Sequence, residues 1–397
     1  MGHFNSCPNI GLKNIKTICY MNATLQCFFH IEPIINFFKY KYNQYMKKIP
    51  KKSGDNLSSS FKILVDNLWP NKYNPSSQNN KKHYSPIDFK NKISKMNQLF
   101  ESNNYNNIKY FLKFIIITLH KELNINSQKN KRNEHIIIDK RNKLLTYQNF
   151  MNEKVSYNNS IISDLFYGIN CNIIKCCNCN IPIYDFQTYF LITFPLEEVY
   201  DYKKRIIKMQ NQMNISNRQS NFNMPNIRQS TIYNNNSTFD QKNQFNKTMI
   251  YIDEINIYDC FEFDRTAILC EGDNSMYCDS CKTNSNCIIY KNLIDGPKIL
   301  IILLNNGNGK SNFKFNFPDK LNLNNFIQNK NTGLLYELIG LITQIDLGNI
   351  YIAFCRDPLT NKWYKYNDIN INEVKDFQNE VINSKIPSIL FYQKLKC

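Results

Sequence analysis

Two short stretches, "KCCNC" and "YCDSC", set Cys176 with Cys179 and Cys278 with Cys281 in a pair of C-x2-C motifs. Each motif can clamp a tetrahedral ion from a tight turn, and two of them complete a closed four-cysteine site of the kind Zn²⁺ takes. No other feature restricts the fold as much, because it draws residues 176 and 281 together across everything between them. Closure cost grows only logarithmically with loop length, so a long interval is tolerated. Cys171 and Cys177 stand close enough in sequence to be alternative ligands or core residues. A closed site of four thiolates catalyses nothing; it holds a fold together.

About half of that interval reads as an insertion. Residues 201–248 are rich in Asn and Gln and lack sustained periodicity, which predicts a structureless tract. Lys203 to Lys247 carries eight Lys or Arg against the single acid Asp240. The formal net charge of +17 invites a polyanion as partner, since such an excess creates an attractive field. Its concentration in a low-complexity tract argues for compositional bias over a dedicated nucleic-acid site, and no base-reading motif accompanies it. A shorter polar stretch, Asn124 to Arg141, reads as another loop.

At 397 residues the chain can bury a sizeable core. Hydrophobic residues make up 42% and aromatics 14%, so most of it is expected to fold. No apolar run reaches the roughly 18 residues of a membrane span, and "MGHFNSCPNI" lacks the apolar centre of a signal peptide. The expectation is a soluble intracellular protein, cytoplasmic or nuclear, without membrane partners. Fourteen cysteines in that setting read as metal ligands, core residues and a candidate nucleophile, because disulfides are rare there.

The candidate nucleophile lies in "GLKNIKTICYMNATLQCFF", Gly11 to Phe29. Cys19 sits where a loop built from Gly11, Asn14 and Thr17 gives way to helical spacing at Leu25, Phe28 and Phe29, which Pro33 then interrupts. A thiol at a helix N-terminus meets unpaired N–H groups and the positive end of the dipole, both of which favour thiolate. The same donors can steady an oxyanion, and the Asn14 side chain can join them if the loop doubles back. Cys27 reads as a core residue.

Gly11-Leu12-x-Asn14-Ile15-x3-Cys19-Tyr20-Met21-Asn22 resembles the cysteine box of the ubiquitin-specific proteases, papain-like enzymes that remove ubiquitin from proteins. That family usually has Gly-Asn-Thr before its cysteine; here Lys16, Thr17 and Ile18 stand instead. The resemblance continues through the Cys pairs, where the family carries a zinc ribbon at the tip of its fingers. It extends into the last hundred residues, whose apolar runs "YELIGLITQI", "YIAFCR", "KWYKYND" and "SILFYQK" read as antiparallel strands.

There the family's histidine box aligns without gaps from Tyr351 to Asn367. Asn367 takes the place of the residue that orients the histidine, and Asp368 beside it can lend support. The histidine belongs at position 350, and position 350 is Ile. A thiol protease needs a base to take the thiol proton and an acid to return it to the leaving amine. Isoleucine does neither. No histidine follows His135, and His30, His83 and His120 belong to the helical N-terminal half. His120 closes the pattern Ile108, Phe111, Leu112, Ile115, Ile116, Leu119 and reads as a surface or C-terminal-turn residue.

A second departure lies in "NNYNNIKYFL", which matches the family's glutamine box. The positions of its two acids, which pair with the arginines of ubiquitin's tail, hold Asn107 and Tyr110. Their loss removes charge-assisted hydrogen bonds, though both residues can still accept from arginine.

The resemblance implies an α+β, papain-like hand over residues 8–394. Its helical thumb covers about 8–165, its zinc-tipped fingers about 166–300 and its antiparallel palm sheet about 300–394. It implies ubiquitin or ubiquitinated proteins as partners, Cys19 as nucleophile, Asn14 at the oxyanion and Zn²⁺ as a structural ion on Cys176, Cys179, Cys278 and Cys281. With Ile350 in place, hydrolysis of ubiquitin isopeptide bonds is expected to be absent or severely impaired. The alternatives are a catalytically dead ubiquitin-binding scaffold and, from another class, a basic zinc-ribbon protein that binds nucleic acid.

Overall fold

The computed structural model describes residues 9–15, 17–49, 56–70, 82–101, 107–127, 139–216, 227–229, 254–307, 313–327, 333–345, 350–383 and 386–395. The apolar run Leu300 to Leu304 lies in the strand Ile299–Asn305, buried on both sides. Ile299, Ile301 and Leu303 enter one hydrophobic cluster, and Leu300, Ile302 and Leu304 enter another. Side chains alternate across a strand, so a run apolar at every position must be covered on both faces.

Around it an eight-stranded sheet is assembled. Ile299–Asn305 pairs parallel with Ile192–Pro195 and antiparallel with Pro387–Lys394. Leu335–Ile345, Ile350–Arg356, Trp363–Asn367 and Asn370–Glu373 come next in that spatial order, all antiparallel, and Lys320–Asn322 pairs with Leu335–Ile345. The four C-terminal runs expected as strands all lie in this sheet.

One face carries the N-terminal helices. All ten residues of the helix Cys19–Phe28 are buried, which is why its sequence has no polar stripe. It packs against the strand Ile350–Arg356. At its end Phe28 meets Phe61, Phe166 and Phe391 with ring centroids 6.4, 5.5 and 6.2 Å away. Pro33 lies in the first turn of the next helix, Glu32–Asn36, where its fixed φ is favourable. The helix Ile108–Leu123 buries the stripe its spacing predicts, and Phe111 packs edge-on to Tyr20 at 5.6 Å. His120 lies in the last turn, as one of its two readings had it, but is buried rather than on the surface. It is 9% exposed, with Nδ1 2.8 Å from Ser160 Oγ and Nε2 3.1 Å from Asn158 Oδ1. Those two groups, distant in sequence, satisfy both ring nitrogens and so permit burial.

His30 is also buried and neutral. Its Nδ1 donates to the Gln26 carbonyl at 2.7 Å, which leaves Nε2 to accept from the Tyr366 hydroxyl at 2.8 Å. Burial pushes the imidazole down to about 4, against weaker upward pulls from the Gln26 carbonyl and the charge of Asp357. The unfolded chain therefore takes up a proton near pH 6.5 that the folded chain refuses until about pH 4. Stability from this group is present above pH 6.5 and falls as pH drops through that window, by roughly 3 kcal/mol in all. Urea midpoints measured at pH 7 and pH 4.5 should show that loss in the wild type and not in His30→Gln.

A second sheet has five strands in the order Pro182–Tyr189, Gly168–Cys176, Cys287–Asp295, Ala267–Cys270 and Ile227–Gln229. The tract expected to be structureless from residue 201 begins instead inside the helix Leu196–Ser216. Leu196 and Val199 anchor that helix in the second cluster, and Lys203 pairs with Asp259 at 2.8 Å, so its first turns are fixed to the core. Residues 217–226 and 230–253 lie outside the described residues, as do 128–138 of the shorter polar stretch. Among the described residues no helix is long and apolar enough to cross a membrane.

Candidate active site and metal centre

Cys19 is the first residue of its helix. The residue before it, Ile18, has no capping side chain, so the first N–H groups of the helix are left for other partners. Asn14 shapes the loop that leads in: its Oδ1 accepts from the Ile18 N–H at 2.9 Å, and its Nδ2 donates to Asp368 Oδ2 at 2.9 Å. The other carboxylate oxygen of Asp368 accepts from Asn22 Nδ2 at 2.7 Å. One carboxylate thus ties the loop before Cys19 to the helix after it. Asp368 occupies the turn between Trp363–Asn367 and Asn370–Glu373 with φ 53°, a left-handed conformation that Asp tolerates better than most residues.

Cys19 is 3% exposed. The expected depression of its pKa is not what the structure gives. Burial raises the thiol above its ordinary value and the charge of Asp368 adds to this, outweighing the N–H groups of Tyr351, Tyr20 and Cys19 itself. Desolvation wins because the uncapped helix end offers partial charges while the thiolate is a full one. The Tyr351 N–H faces the thiol, so residue 350 is one step along the strand from the backbone that meets Cys19. The Ile350 side chain is partly buried against the second hydrophobic cluster, which includes Ile345 across the ladder. Ala353 pairs with Tyr366, so one step further Ile352 stands opposite Asn367, and Ile350 shares their face as a diagonal neighbour. Tyr351 turns to the opposite face, where Gln344 Nε2 donates to its hydroxyl at 3.0 Å. Burial, with the charge of Cys19 second, pushes that phenol up to about 12.

Cys19, Asn14 and Asp368 are therefore brought together, with position 350 and Asn367 at the strand ends beside them. Of the histidines, His30 lies beyond the far end of the Cys19 helix, about 15 Å along the chain axis, and His120 is held by Ser160 and Asn158. His83 is exposed on the short strand His83–Tyr84, paired with Gly11; His3 and His135 lie outside the described residues. Asn107 and Tyr110 sit at the start of Ile108–Leu123. Asn107 Oδ1 caps that helix by accepting from the Tyr110 N–H at 3.2 Å, and the Tyr110 side chain is 54% exposed. Asn22 was legible as a partner, being three residues after Cys19 on the same helical face. Tyr351 acts through its backbone, which leaves no trace in sequence.

Gly11 makes this assembly possible. A Cβ there would lie 2.6 Å from Ile369 Cα and 2.7 Å from the Asp368 carbonyl, both backbone atoms. Gly11→Ala should push the Asp368 turn outward, cost about 1–3 kcal/mol by overpacking, and slow alkylation of Cys19. Thermal melts and iodoacetamide labelling rates check this; wild-type values for both would mean that the turn is not seated as described.

The four cysteines of the paired motifs meet at the end of the second sheet. Their sulfurs all lie within 4.8 Å of one another. Cys176 Sγ is 3.8 Å from Cys281 Sγ, and Cys179 Sγ is 3.7 Å from Cys278 Sγ. A tetrahedral ion with metal–sulfur bonds of about 2.3 Å separates its ligands by about 3.8 Å, so the cluster could hold a metal. Among the protein groups alone, the Cys179 N–H lowers the Cys176 thiol, while hydrogen bonds to the neighbouring sulfurs raise that of Cys281. Cys171 is excluded from the cluster, buried within Gly168–Cys176, and Cys177 is exposed.

A family model for "UCH: Ubiquitin carboxyl-terminal hydrolase" matches residues 10–392. The chain belongs to this family. Among ubiquitin carboxyl-terminal hydrolases it is 22% identical over 394 residues to Usp2 of Drosophila melanogaster, covering 97% of this chain and 34% of that protein. To ubiquitin carboxyl-terminal hydrolase 2 of Bos taurus it is 21% identical over 398 residues, covering 96% of this chain and 54% of the relative. The chain thus spans between a third and about half the length of these curated relatives. The solved "SAGA Ubp8/Sgf11/Sus1/Sgf73 DUB module bound to ubiquitin aldehyde" superposes with a TM-score of 0.61 at 17% identity, covering 99% of this chain and 71% of that one. The mixed helix and sheet architecture expected of a ubiquitin-specific protease is therefore the observed one.

Proposed function

We propose that this domain binds the C-terminal tail of ubiquitin or ubiquitinated proteins and presents Cys19 to it, with thiol hydrolysis severely impaired by Ile350. The observation that carries the reading is the thiol at an uncapped helix start, against the Tyr351 N–H, with isoleucine rather than histidine as the residue before Tyr351. In this reading Cys19 attacks the carbonyl of ubiquitin's terminal glycine, and the negative charge on its oxygen is met by helix N–H groups and by the second Nδ2 hydrogen of Asn14. Asp368 holds that amide, and Asn367 keeps the place of the residue that would orient a histidine. Without an acid, the tetrahedral adduct returns to thiolate and amide faster than it expels the amine. Asn107 and Tyr110 offer neutral acceptors to the basic tail. The hand divides near residues 165 and 300, and the fingers are closed by a structural Zn²⁺ on Cys176, Cys179, Cys278 and Cys281, inside the cell.

Ubiquitin bearing a C-terminal electrophile tests the reading, because labelling needs recognition and a thiolate but no leaving-group acid. The expected result is binding by calorimetry, a slow adduct at Cys19 that Cys19→Ala abolishes, and turnover of a ubiquitin-derived fluorogenic amide at no more than roughly 10⁻² of the rate of an intact site. Absence of binding and adduct would overturn ubiquitin as the ligand. Fast turnover lost in Cys19→Ala would overturn the impairment.

A further inference from the structure

Beyond the four clustered cysteines, Cys270 and Cys287 face each other directly across the antiparallel pair Ala267–Cys270 and Cys287–Asp295. Directly opposed residues of such a pair have Cα atoms roughly 4.5–5.5 Å apart, inside the range of about 4.4–6.8 Å that a disulfide spans. Both are free thiols. Their position has a topological consequence, since residues 271–286 between them contain the hairpin Met276–Cys278 with Thr283–Ser285, and with it Cys278 and Cys281. Cys287 also pairs across the sheet with Cys176. A groove of about 690 Å³ reaches the same place, with Cys287, Ile174, Met276, Tyr277 and Ser285 in its wall. Cys270 is 8% exposed and Cys287 2%, and of the two it is Cys287 that the groove reaches, beside Cys176 and Cys278. The other close thiol pair, Cys27 and Cys355 at 3.8 Å, joins a helix to a strand in the core and lines neither described cavity.

We propose that Cys270 and Cys287 are an oxidative modification site, a dithiol that a peroxide converts to a cross-strand disulfide stapling the base of the second cysteine turn. The peroxide oxygen transfers to the Cys287 sulfur, giving a sulfenic acid and one molecule of water. The Cys270 sulfur then attacks that sulfur, the S–S bond forms, and the hydroxyl leaves with the Cys270 proton as a second water. Two thiols lose two electrons and the O–O bond takes them up. The closed loop holds Cys278 and Cys281 in place even when no ion joins them to the first turn. This inference does not depend on ubiquitin as ligand.

The test treats the full zinc-loaded chain with hydrogen peroxide and maps peptides without reduction. The expected product is a peptide pair joined through Cys270 and Cys287, two hydrogens lighter than its parts. Zinc is retained, and its later transfer to a chelating dye is several-fold slower than from the reduced protein. Cys270→Ser and Cys287→Ser, each verified as folded by circular dichroism, should abolish both effects. Two results overturn the proposal: bridges among Cys176, Cys179, Cys278 and Cys281 with zinc released, or oxidation confined to the exposed Cys177 while Cys270 and Cys287 stay reduced.

Discussion

Ile350→His is expected to raise release of a fluorogenic amine from the C-terminus of ubiquitin by roughly 10²- to 10⁴-fold, the usual contribution of a positioned acid–base group. The substitution asks little of the fold. Position 350 begins its strand and is only partly buried, so an imidazole there need not be desolvated on all sides. The Tyr351 N–H already fixes the adjoining backbone against the thiol, and Asn367 shares a sheet face with residue 350 and can accept from an imidazole N–H. The gain should depend on Cys19 and appear as a limb of the pH profile near the titration of the new histidine. An Ile350→Gln control, polar but without acid–base chemistry, separates proton transfer from relief of packing. If Ile350→His leaves turnover unchanged while the electrophilic ubiquitin still labels Cys19, the missing base is not what limits the chemistry.

Removal of the Zn²⁺ proposed on the four clustered cysteines should have the largest effect on stability. Structural zinc in small zinc domains supplies about 10–16 kcal/mol of apparent binding free energy near neutral pH, and that energy is folding energy wherever the site does not preexist. Here the two cysteine turns come from segments separated by residues 180–277. Chelation, or Cys278→Ser, should therefore unfold the five-stranded sheet while the eight-stranded sheet persists, because the latter has its own two-sided core. Amide exchange should show protection lost over Gly168–Cys176 and Cys287–Asp295 and kept over Ile299–Asn305. One zinc per chain by mass spectrometry is the matching stoichiometry. A chain without zinc, melting identically before and after chelation, would exclude the structural ion.

Much of this architecture was legible because several patterns admit one physical solution. The all-apolar strand had to lie between two layers, and four thiols in paired turns had to converge. The stripe on Ile108–Leu123 had to face a core. Less was legible where partners come from far away in the chain. The place of His120 in the last turn was legible, but not its burial, which rests on Ser160 and Asn158. The tract after residue 201 looked structureless because Leu196 and Val199, which anchor its helix, precede the polar composition.

The sequence by itself determined that position 350, where the family resemblance puts a histidine, is isoleucine. It also picked out the proposed nucleophile and the four cysteines that cluster, because these are matters of residue identity and spacing. Tertiary structure alone decided how Cys19 titrates and what steadies its loop. Helix position argued for a lowered thiol, but burial under the sheet raises it. The carboxylate that joins Asn14 to Asn22 arrives from a turn more than three hundred residues away. Desolvation and long-range hydrogen bonds depend on which surfaces close over a group, and no local window of sequence contains that information.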